Sequence, residues 1–323
     1  MATVESLVEV QGLKKFFTDR GRVLKAVDEV SFRIAKGEVL GLVGESGCGK
    51  TTIGRLLLNL LPPTGGAVHF NGVDIFRLSK QDMRQMRHKM QIVFQDPYSS
   101  LNPRMTIGGI LTFPMKVQGL YKGNEWQRAL YLLGRVGLDD TAINRYPHEF
   151  SGGQLQRVGI ARALSVDPEF IVADEPVSAL DISIQSQVLN LFKELQEEFN
   201  LTTLFISHDL SVVEFISDRI AVVYMGKIAE IGPAKKLFKA AQHPYTKSLI
   251  SAILQPDPVA EQKKPPFSLV GEISSPIDPP PGCRFYSRCP ERMNVCKEIN
   301  PRMVEVAPNH ELACWLFDPE RPA

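Results

Sequence analysis

The sequence predicts an α/β protein with a mostly parallel sheet covered by helices on both faces. Four short apolar segments have the composition of buried strands, and they lie at residues 39–43, 91–95, 170–173 and 202–207. Stretches with helical periodicity separate them, which favours crossover connections and hence parallel pairing. Three of these strands end at a glutamine, an aspartate or a histidine. Open sheets of this kind bind ligands at that carboxyl edge.

The composition is typical of a soluble globular protein. Of 323 residues, 44% are hydrophobic and 23% are charged, and 37 basic against 36 acidic side chains leave a formal net charge of +1. This balance argues against nucleic acid as a partner, because such proteins usually carry a clear basic excess. The first residues do not resemble an export leader, and no apolar run approaches the roughly 18 residues that span a bilayer. We therefore expect a cytosolic chain that can still dock at a membrane.

The segment from residue 44 to residue 52 fits the pattern of glycine, any four residues, glycine, lysine, then serine or threonine. A predicted strand precedes it, and a predicted helix spans residues 52–61. Such a loop turns backbone N–H groups around a phosphate, and the helix N-terminus adds partial positive charge. We expect Lys50 to reach the β- and γ-phosphates and the Thr51 hydroxyl to ligate Mg²⁺. The candidate residues for binding a nucleoside triphosphate are Gly44, Ser46, Gly47, Cys48, Gly49, Lys50, Thr51 and Thr52.

Residues 6–34 alternate in the manner of three short strands, and Asn71-Gly72 predicts a hairpin turn within residues 68–75. Phe16 and Phe17 lie between the first two predicted strands. These rings suit either core packing or stacking of one of them on an adenine base. Phe17 is our candidate for the stacking role.

A second chemical centre follows the apolar strand that ends in Asp174 and Glu175. Two ionised carboxylates are costly at the end of a buried strand, so we expect a cation there, with Mg²⁺ on Asp174. Glu175 lies one residue further out, where it can accept a proton from an attacking water. His208 also follows an apolar strand. A lone histidine in that position is usually structural, but the shared sheet edge favours a functional role.

Six motifs occur in the order and spacing of an ATP-binding cassette (ABC) ATPase, which residues 5 to about 235 resemble. They are Gly44–Thr51, Gln95, Ser151-Gly152-Gly153-Gln154, Asp174-Glu175, Ser178–Asp181 and His208. Phe150 stands where the family usually has leucine, a conservative apolar change. The resemblance implies a P-loop NTPase (ABC ATPase) core with an antiparallel β subdomain and a helical signature subdomain at about 100–165. A small C-terminal extension with four cysteines follows.

The resemblance also implies a head-to-tail dimer that binds ATP between the phosphate loop of one subunit and the signature of the other. The signature residues are Ser151, Gly152, Gly153 and Gln154. Gln95 would touch Mg²⁺ and the attacking water, so Thr51, Gln95 and Asp174 are the candidate Mg²⁺ ligands. His208 would contact the γ-phosphate, and Asp181 would connect the two sites. The candidate catalytic residues are therefore Glu175, His208 and Gln95.

Residues 94–106, 243–246 and 283–290 are similar to the ATPases of oligopeptide and dipeptide importers, and Tyr98 and Arg104 are more like the second, F-type, ATPase. This similarity implies a D-type partner ATPase, two transmembrane permease subunits and an extracytoplasmic binding protein. The chain would lie peripherally at the cytoplasmic face of the cell membrane. Related importers carry peptides, nickel or oligosaccharides. The alternative is a soluble ABC ATPase not coupled to transport, which would normally carry coiled-coil or basic insertions that this sequence lacks.

The character of the sequence changes near residue 235, which predicts a cassette at residues 1–235 and an extension at residues 236–323. The extension holds Cys283, Cys289, Cys296 and Cys314. Their gaps are wider than the paired gaps of zinc ribbons, and Pro290 follows Cys289 as proline follows a ligand cysteine in ferredoxin-like clusters. Tails of similar sequence can hold a [4Fe–4S] cluster. We predict such a cluster in a structural role, with zinc or four unligated thiols as the alternatives.

Overall fold

The computed structural model describes residues 5–253, 275 and 277–322. Residues 254–274, 276 and 323 of the predicted extension lie outside the described residues. The described strands are β1 (Ser6–Asp19), β2 (Arg22–Ala35), β3 (Val39–Val43), β4 (Gly65–Phe70), β5 (Val73–Asp74), β6 (Met90–Val93), β7 (Phe170–Asp174), β8 (Thr202–Ile206), β9 (Arg219–Tyr224), β10 (Lys227–Pro233), β11 (Val304–Ala307) and β12 (His310–Leu312).

The described helices run from the phosphate loop to the C-terminal extension. They are α1 (Lys50–Leu57), α2 (Lys80–Met86), α3 (Pro97–Ser100), α4 (Ile107–Gln118), α5 (Glu125–Arg135), α6 (Gly152–Leu164), α7 (Ile182–Glu198), α8 (Leu210–Ile216), α9 (Ala234–Ala240), α10 (Pro244–Ser251) and α11 (Val295–Glu298).

The chain forms two compact units, each built from segments that are distant in sequence. The first unit comprises Met1–Leu7, Ile34–Val39 and Val73–Ile206. The second unit comprises Val8–Arg33, Leu40–Gly72 and Ser207–Ala323. The helices predicted within residues 105–165 belong to the first unit, and the phosphate loop belongs to the second.

In the first unit, β6, β7 and β8 form a parallel sheet, as the apolar segments predict. Met90 of β6 lies opposite Phe170 of β7, and Phe170 in turn lies opposite Thr202 of β8. Every residue of β7 and β8 is buried. Burial on both faces explains why these strands are continuous apolar runs rather than alternating ones.

The helices of the first unit pack closely around small residues. Helix α4 begins after Thr106, whose hydroxyl accepts a hydrogen bond from the Gly109 N–H, and it ends at Gly119 in a left-handed conformation. A Cβ atom at Gly108 would lie 2.7 Å from the ring of Trp126. Glycine is therefore required there by the close approach of α4 to α5.

In the second unit, five strands are ordered β11-β12-β10-β9-β3, and the pair β3–β9 is parallel. The pairs β9–β10, β10–β12 and β11–β12 are antiparallel. The parallel pairing expected for residues 39–43 is thus found in β3, and strands β10, β12 and β11, which the sequence analysis did not predict, add an antiparallel part to the sheet. Met225 and Gly226 have φ angles of 44° and 79°, which form a two-residue hairpin turn and reverse the chain after β9.

The N-terminal region of the second unit differs from the three short strands that the alternation predicts. It contains two strands, β1 and β2, of 14 residues each. Arg20 and Gly21 form the tight turn between them, with φ angles of 47° and 78°. Asn71 and Gly72, with φ angles of 50° and 78°, form the predicted hairpin turn after β4. The pairing of β1 with β4 is antiparallel, and its register shifts between Gln11 and Lys14. This β-bulge breaks the alternation of side chains in β1, so only the part before it reads as a regular strand. In β2, Glu29 has a φ angle of 60° and separates the two short strands that the sequence suggested.

Candidate functional site

The glycines of the phosphate loop are required by backbone conformation and by crowding. The φ angles of Gly44, Gly47 and Gly49 are 154°, 76° and 109°. A Cβ atom would lie 2.1 Å from the Val223 carbonyl oxygen at Gly44, and 2.2 Å from the Ala26 carbonyl oxygen at Gly49. Nothing lies within 4 Å of a Cβ at Gly47, so only its φ angle calls for glycine there.

Lys50 is the first residue of α1 and only 5% exposed. Its Nζ donates hydrogen bonds to the carbonyl oxygens of Gly44, at 2.8 Å, and Glu45, at 3.0 Å. The predicted helix at residues 52–61 is therefore shifted: it starts two residues earlier and ends at Leu57. Asn59, with φ of 49°, follows the helix and breaks it before Pro62-Pro63 is reached. The ammonium group lies within the loop that the helix N-terminus faces.

The other loop residues differ in exposure. Ser46 and Gly47 are exposed, whereas Thr51 and Thr52 are half-buried. Cys48 is buried, and burial raises the pKa of its thiol. Its side chain is thus part of the core, and its carbonyl oxygen accepts a hydrogen bond from the Gly226 N–H at 2.8 Å.

The carboxyl ends of β6 and β7 bring together residues that are 80 positions apart. The Gln95 side-chain amide donates to Glu175 Oε2 at 3.1 Å and to the Ser178 hydroxyl at 3.3 Å. Glu175 has a φ angle of 49°, and its N–H donates to the Ile206 carbonyl oxygen at 3.0 Å. Asp174 ends β7 and is 6% exposed. Sequence reasoning missed Ser178 as a site residue, although the residue lies in one of the quoted motifs.

The Ser151 motif begins helix α6 and has a clear local role. The Ser151 hydroxyl accepts from the Gln154 N–H at 3.4 Å, and Gln154 Oε1 accepts from the Ser151 N–H at 3.0 Å. This reciprocal capping box fixes the start of the helix. A Cβ atom at Gly153 would lie 2.4 Å from Ile184 Cγ2, so glycine permits the close approach of α6 to α7. Gly152 is half-buried, and Ser151 and Gln154 are exposed.

Three further candidate residues lie at the surface. Asp181 immediately precedes α7, and His208 follows the buried Ser207. Phe17 is 41% exposed, and Lys15 Nζ lies 4.9 Å from the centroid of its ring. A cation near an aromatic face is a favourable contact in itself, so stacking of Phe17 on adenine stays a prediction.

The four cysteines of the extension line one narrow cavity together with Phe285 and Trp315. Burial raises the pKa of the Cys283 thiol to about 12 and that of the Cys314 thiol to about 11. Among the described residues, no group of three or more His, Cys, Asp or Glu is placed to hold a metal ion. The four predicted ligands therefore lie around one cavity, but in this arrangement the described residues form no metal-binding group.

Two contacts of Glu45 in the phosphate loop escaped the sequence analysis. The Glu45 N–H donates to the Tyr245 hydroxyl at 3.1 Å. Arg288 Nη1 donates to both carboxylate oxygens of Glu45, at 2.9 Å each. The partners lie about 200 and 243 residues away in sequence, where no local pattern connects them to the loop.

Within the described parts of the chain, no helix is both long enough and apolar enough to cross a bilayer. The arrangement from Val39 to Leu57, a buried strand, a glycine-constrained loop and a helix that starts at a buried lysine, is that of the P-loop nucleotide-binding proteins. That class is the one that the fold and the loop define.

Comparison with known proteins identifies the family within this class. The family model described as "ABC transporter" matches residues 27–178. The model described as "Oligopeptide/dipeptide transporter, C-terminal region" matches residues 229–296. The chain belongs to the ABC transporter family, and its C-terminal part belongs to the oligopeptide/dipeptide transporter type. The ABC ATPase resemblance is thereby confirmed, and the protein is an ATPase of that family.

Curated relatives align over almost the whole chain. A putative peptide import ATP-binding protein of Brucella ovis is 53% identical over 313 residues, which are 97% of this chain and 98% of the relative. The oligopeptide transport ATP-binding protein AppF of Bacillus subtilis is 50% identical over 325 residues, or 98% and 99% of the two chains.

Solved structures confirm the predicted fold class. A dimeric ATP-binding cassette in a post-hydrolysis state, bound to ADP and Pi, matches with a TM-score of 0.64 and 29% identity, covering 70% of this chain and 98% of that chain. The cbiO1 protein of Clostridium perfringens, part of the ABC transporter complex cbiONQ, matches with a TM-score of 0.66 and 26% identity, covering 76% and 95%.

Proposed function

We propose that this chain is the ATP-hydrolysing subunit of an ABC importer for peptides or a related solute, located peripherally at the cytoplasmic face of the membrane. Relatives named for peptide import and for oligopeptide transport align over 97% or more of the chain, including its extension. The main structural support for ATP hydrolysis is the hydrogen bond from the Gln95 amide to the Glu175 carboxylate, at 3.1 Å. It orients the base that activation of water requires.

The phosphate loop fits a nucleotide. A Cβ would collide with backbone at Gly44 and Gly49, so no side chain from these positions blocks the approach of phosphates to the loop N–H groups. Lys50 is already held in the loop by hydrogen bonds to two of its carbonyl oxygens. In the proposed site, Gly44, Ser46, Gly47, Cys48, Gly49, Lys50, Thr51 and Thr52 bind the phosphates of ATP, and Thr51, Gln95 and Asp174 would hold Mg²⁺. The bound metal would offset phosphate charge.

Glu175 is the general base in this proposal. Its carboxylate accepts from Gln95, and its left-handed backbone departs from the direction of strand β7. By family resemblance, His208 contacts the γ-phosphate, Phe17 stacks on the adenine, and Asp181 links the two sites. The partner's Ser151 motif completes each site in a dimer with a D-type ATPase. No nucleic acid takes part.

The proposed domain division is a cassette at residues 1–235, with its helical subdomain at about 100–165, and an extension at residues 236–323. Helices α4, α5 and α6 lie within the proposed helical subdomain. The boundary falls near the start of α9, directly after β10. Extension strand β12 pairs with cassette strand β10, placing Leu312 opposite Glu230, so the two regions share a sheet without a break in hydrogen bonding.

Two transmembrane permease subunits, fed by an extracytoplasmic binding protein, are the proposed partners. The first unit presents large exposed aromatic side chains: Phe113 is 58% exposed and Tyr98 57% exposed. Tyr98 lies three residues after Gln95, in the loop that moves with the membrane partner in this family. Exposed aromatics of this kind are enriched at protein interfaces.

The assembly is testable by co-expressing the chain with the proposed permease subunits and the proposed D-type ATPase and assaying ATP hydrolysis with candidate peptides. We expect the assembly to exceed the summed rates of its separated parts, because one chain supplies only half of each site. The variants Tyr98→Ser and Phe113→Ser should reduce co-purification with the permeases, whereas Leu60→Ser, at a similarly exposed apolar position of the second unit, should not. A rate that is equal for the lone chain and the assembly would contradict coupling and favour a soluble ABC ATPase.

We also propose that the four cysteines bind a [4Fe–4S] cluster, with a single zinc ion as the alternative. The support is that Cys283, Cys289, Cys296 and Cys314 line one cavity. Burial raises the pKa of the Cys283, Cys289 and Cys314 thiols, which opposes formation of the thiolates that bind a metal. A metal would supply the positive charge that stabilises buried thiolates. The absence of a closed ligand group among the described residues counts against it.

Metal analysis of anaerobically purified protein decides this point. We expect about four irons per chain, as a [4Fe–4S] cluster contains, a brown colour, and loss of both in Cys289→Ser. Cys48→Ser, outside the cavity, is the matched control and should keep its iron. A content of one zinc per chain would rule out the cluster and support the zinc alternative. Metal-free protein with an intact extension would rule out both metals.

A further inference from the structure

The second residue of the phosphate loop is acidic, which is unfavourable for a loop that receives a polyphosphate. The Glu45 side chain is 28% exposed, and its backbone carbonyl already accepts from Lys50, the cation expected to meet the phosphates. Like charges repel over several ångströms wherever water screens them incompletely. An uncompensated carboxylate at this position would therefore weaken the binding of ATP.

Arg288 of the extension compensates this charge. Its Nη1 lies 2.9 Å from each Glu45 carboxylate oxygen, and the Arg288 side chain is only 9% exposed. The guanidinium carbon lies 5.9 Å from the ring centroids of both Tyr224 and Phe285. The two aromatic rings restrict the conformations of the Arg288 side chain, which distinguishes this ion pair from a mobile pair at the protein surface.

The backbone of Glu45 is held as well. Its N–H donates to the hydroxyl of Tyr245, which is fully buried and packs against Tyr224 with ring centroids 4.5 Å apart. Tyr245 also lies in the extension. The side chain and the N–H of Glu45 are thus both bound by residues of the extension, while the Glu45 carbonyl oxygen accepts a hydrogen bond from Lys50.

We propose that Arg288 is a positioning residue for ATP binding. It neutralises Glu45 and holds the carboxylate at its guanidinium group, while Tyr245 fixes the loop backbone. Through these contacts, the extension sets the affinity of the phosphate loop for polyphosphates. This inference rests on ATP binding at the loop and is independent of transport and of any metal in the extension.

The test compares Arg288→Ala, Glu45→Gln and the double variant by equilibrium binding of a fluorescent ATP analogue to the purified chain. We expect Arg288→Ala to weaken binding about three- to fivefold, the upper part of the range for a partly exposed ion pair. The double variant should recover to within about twofold of the unsubstituted chain, since it has no carboxylate left to compensate. Steady-state kinetics should show a raised KM with kcat nearly unchanged, and the defect should shrink at high salt.

The matched control is Arg302→Ala. Arg302 forms a comparable pair with Asp318 inside the extension, at 2.9 Å, but has no contact with the loop in the structure. ATP affinity should not change in this variant even if the extension melts at a lower temperature. Adenosine, which lacks phosphates, should bind the unsubstituted chain and Arg288→Ala equally.

Failure of Glu45→Gln to rescue Arg288→Ala, in chains with unchanged melting temperatures, would overturn the inference. If Arg288→Ala does not fold, Arg288→Lys and Arg288→Gln decide instead: lysine keeps the charge and should bind ATP more tightly than glutamine, and equal affinities would overturn the proposal. A chain with unaltered residues that binds no ATP would overturn the nucleotide site itself.

Discussion

Replacing Glu175 by glutamine is expected to slow ATP hydrolysis by about 10²–10⁴-fold while ATP binding persists, which is the usual contribution of a positioned general base. Glutamine has nearly the same shape as glutamate and can still interact with the Gln95 side chain, but it cannot accept a proton at neutral pH. The effect therefore falls on the chemical step. Trapping of nucleotide in a stable dimer should accompany it, because ATP binds without being consumed.

Phosphate release by the assembled complex, together with equilibrium binding of ATP, measures this separation. Glu194→Gln is the matched control, because it is the same substitution at an exposed position on α7. It should hydrolyse ATP normally. A Glu175→Gln complex that turns over at a near-normal rate would remove Glu175 from the role of base.

The parts of the fold that sequence predicts are those specified by local chemistry. Continuous apolar runs identified β7 and β8 because both faces of these strands are buried. The turn at Met225 and Gly226 carried a weaker signal, since only one of its two residues is a glycine, and with it the antiparallel part of the second unit's sheet was missed. The bulge in β1 likewise hides a long strand from a search for regular alternation.

The candidate site divides in the same way. Gln95 and Glu175 could be placed together from sequence, because the carboxyl ends of neighbouring parallel strands meet at one edge. The contacts of Glu45 with Arg288 and Tyr245 could not be predicted from sequence. No sequence pattern around Arg288 or Tyr245 indicates that the side chain contacts the phosphate loop. Long-range pairs of single side chains become visible only when the backbone has been placed.

The convergence of the cysteines was only half predictable. Their clustering in sequence correctly suggested proximity, and all four line one cavity. Whether thiols surround a common point depends on the rotamers and backbone directions of separate segments, which spacing alone does not determine. The proposed cluster therefore depends on metal analysis rather than on motif reasoning.

Lys50→Met is expected to weaken ATP binding by roughly 30- to 4,000-fold, corresponding to the 2–5 kcal/mol typical of removing one partner of a buried, hydrogen-bonded charge contact. The physical reason is specific to this lysine. It is 5% exposed, and its ammonium group lies on the carbonyl oxygens of Gly44 and Glu45 within the loop. Methionine keeps most of the volume and the packing of the stem but leaves two carbonyl oxygens without their donor and the phosphates without their cation.

Isothermal titration with ATP and with adenosine separates this electrostatic loss from a general collapse of the site. Affinity for ATP should fall steeply in Lys50→Met, whereas affinity for adenosine should change little, because the lysine is expected to contact only phosphates. Lys239→Met, at an exposed position of α9, is the matched control and should bind both ligands normally. Equal losses for the two ligands would mean that the variant has lost its loop structure. ATP binding at full strength would show that Lys50 is not the phosphate-binding cation, and the loop would then have to hold ATP by its backbone N–H groups and helix dipole alone.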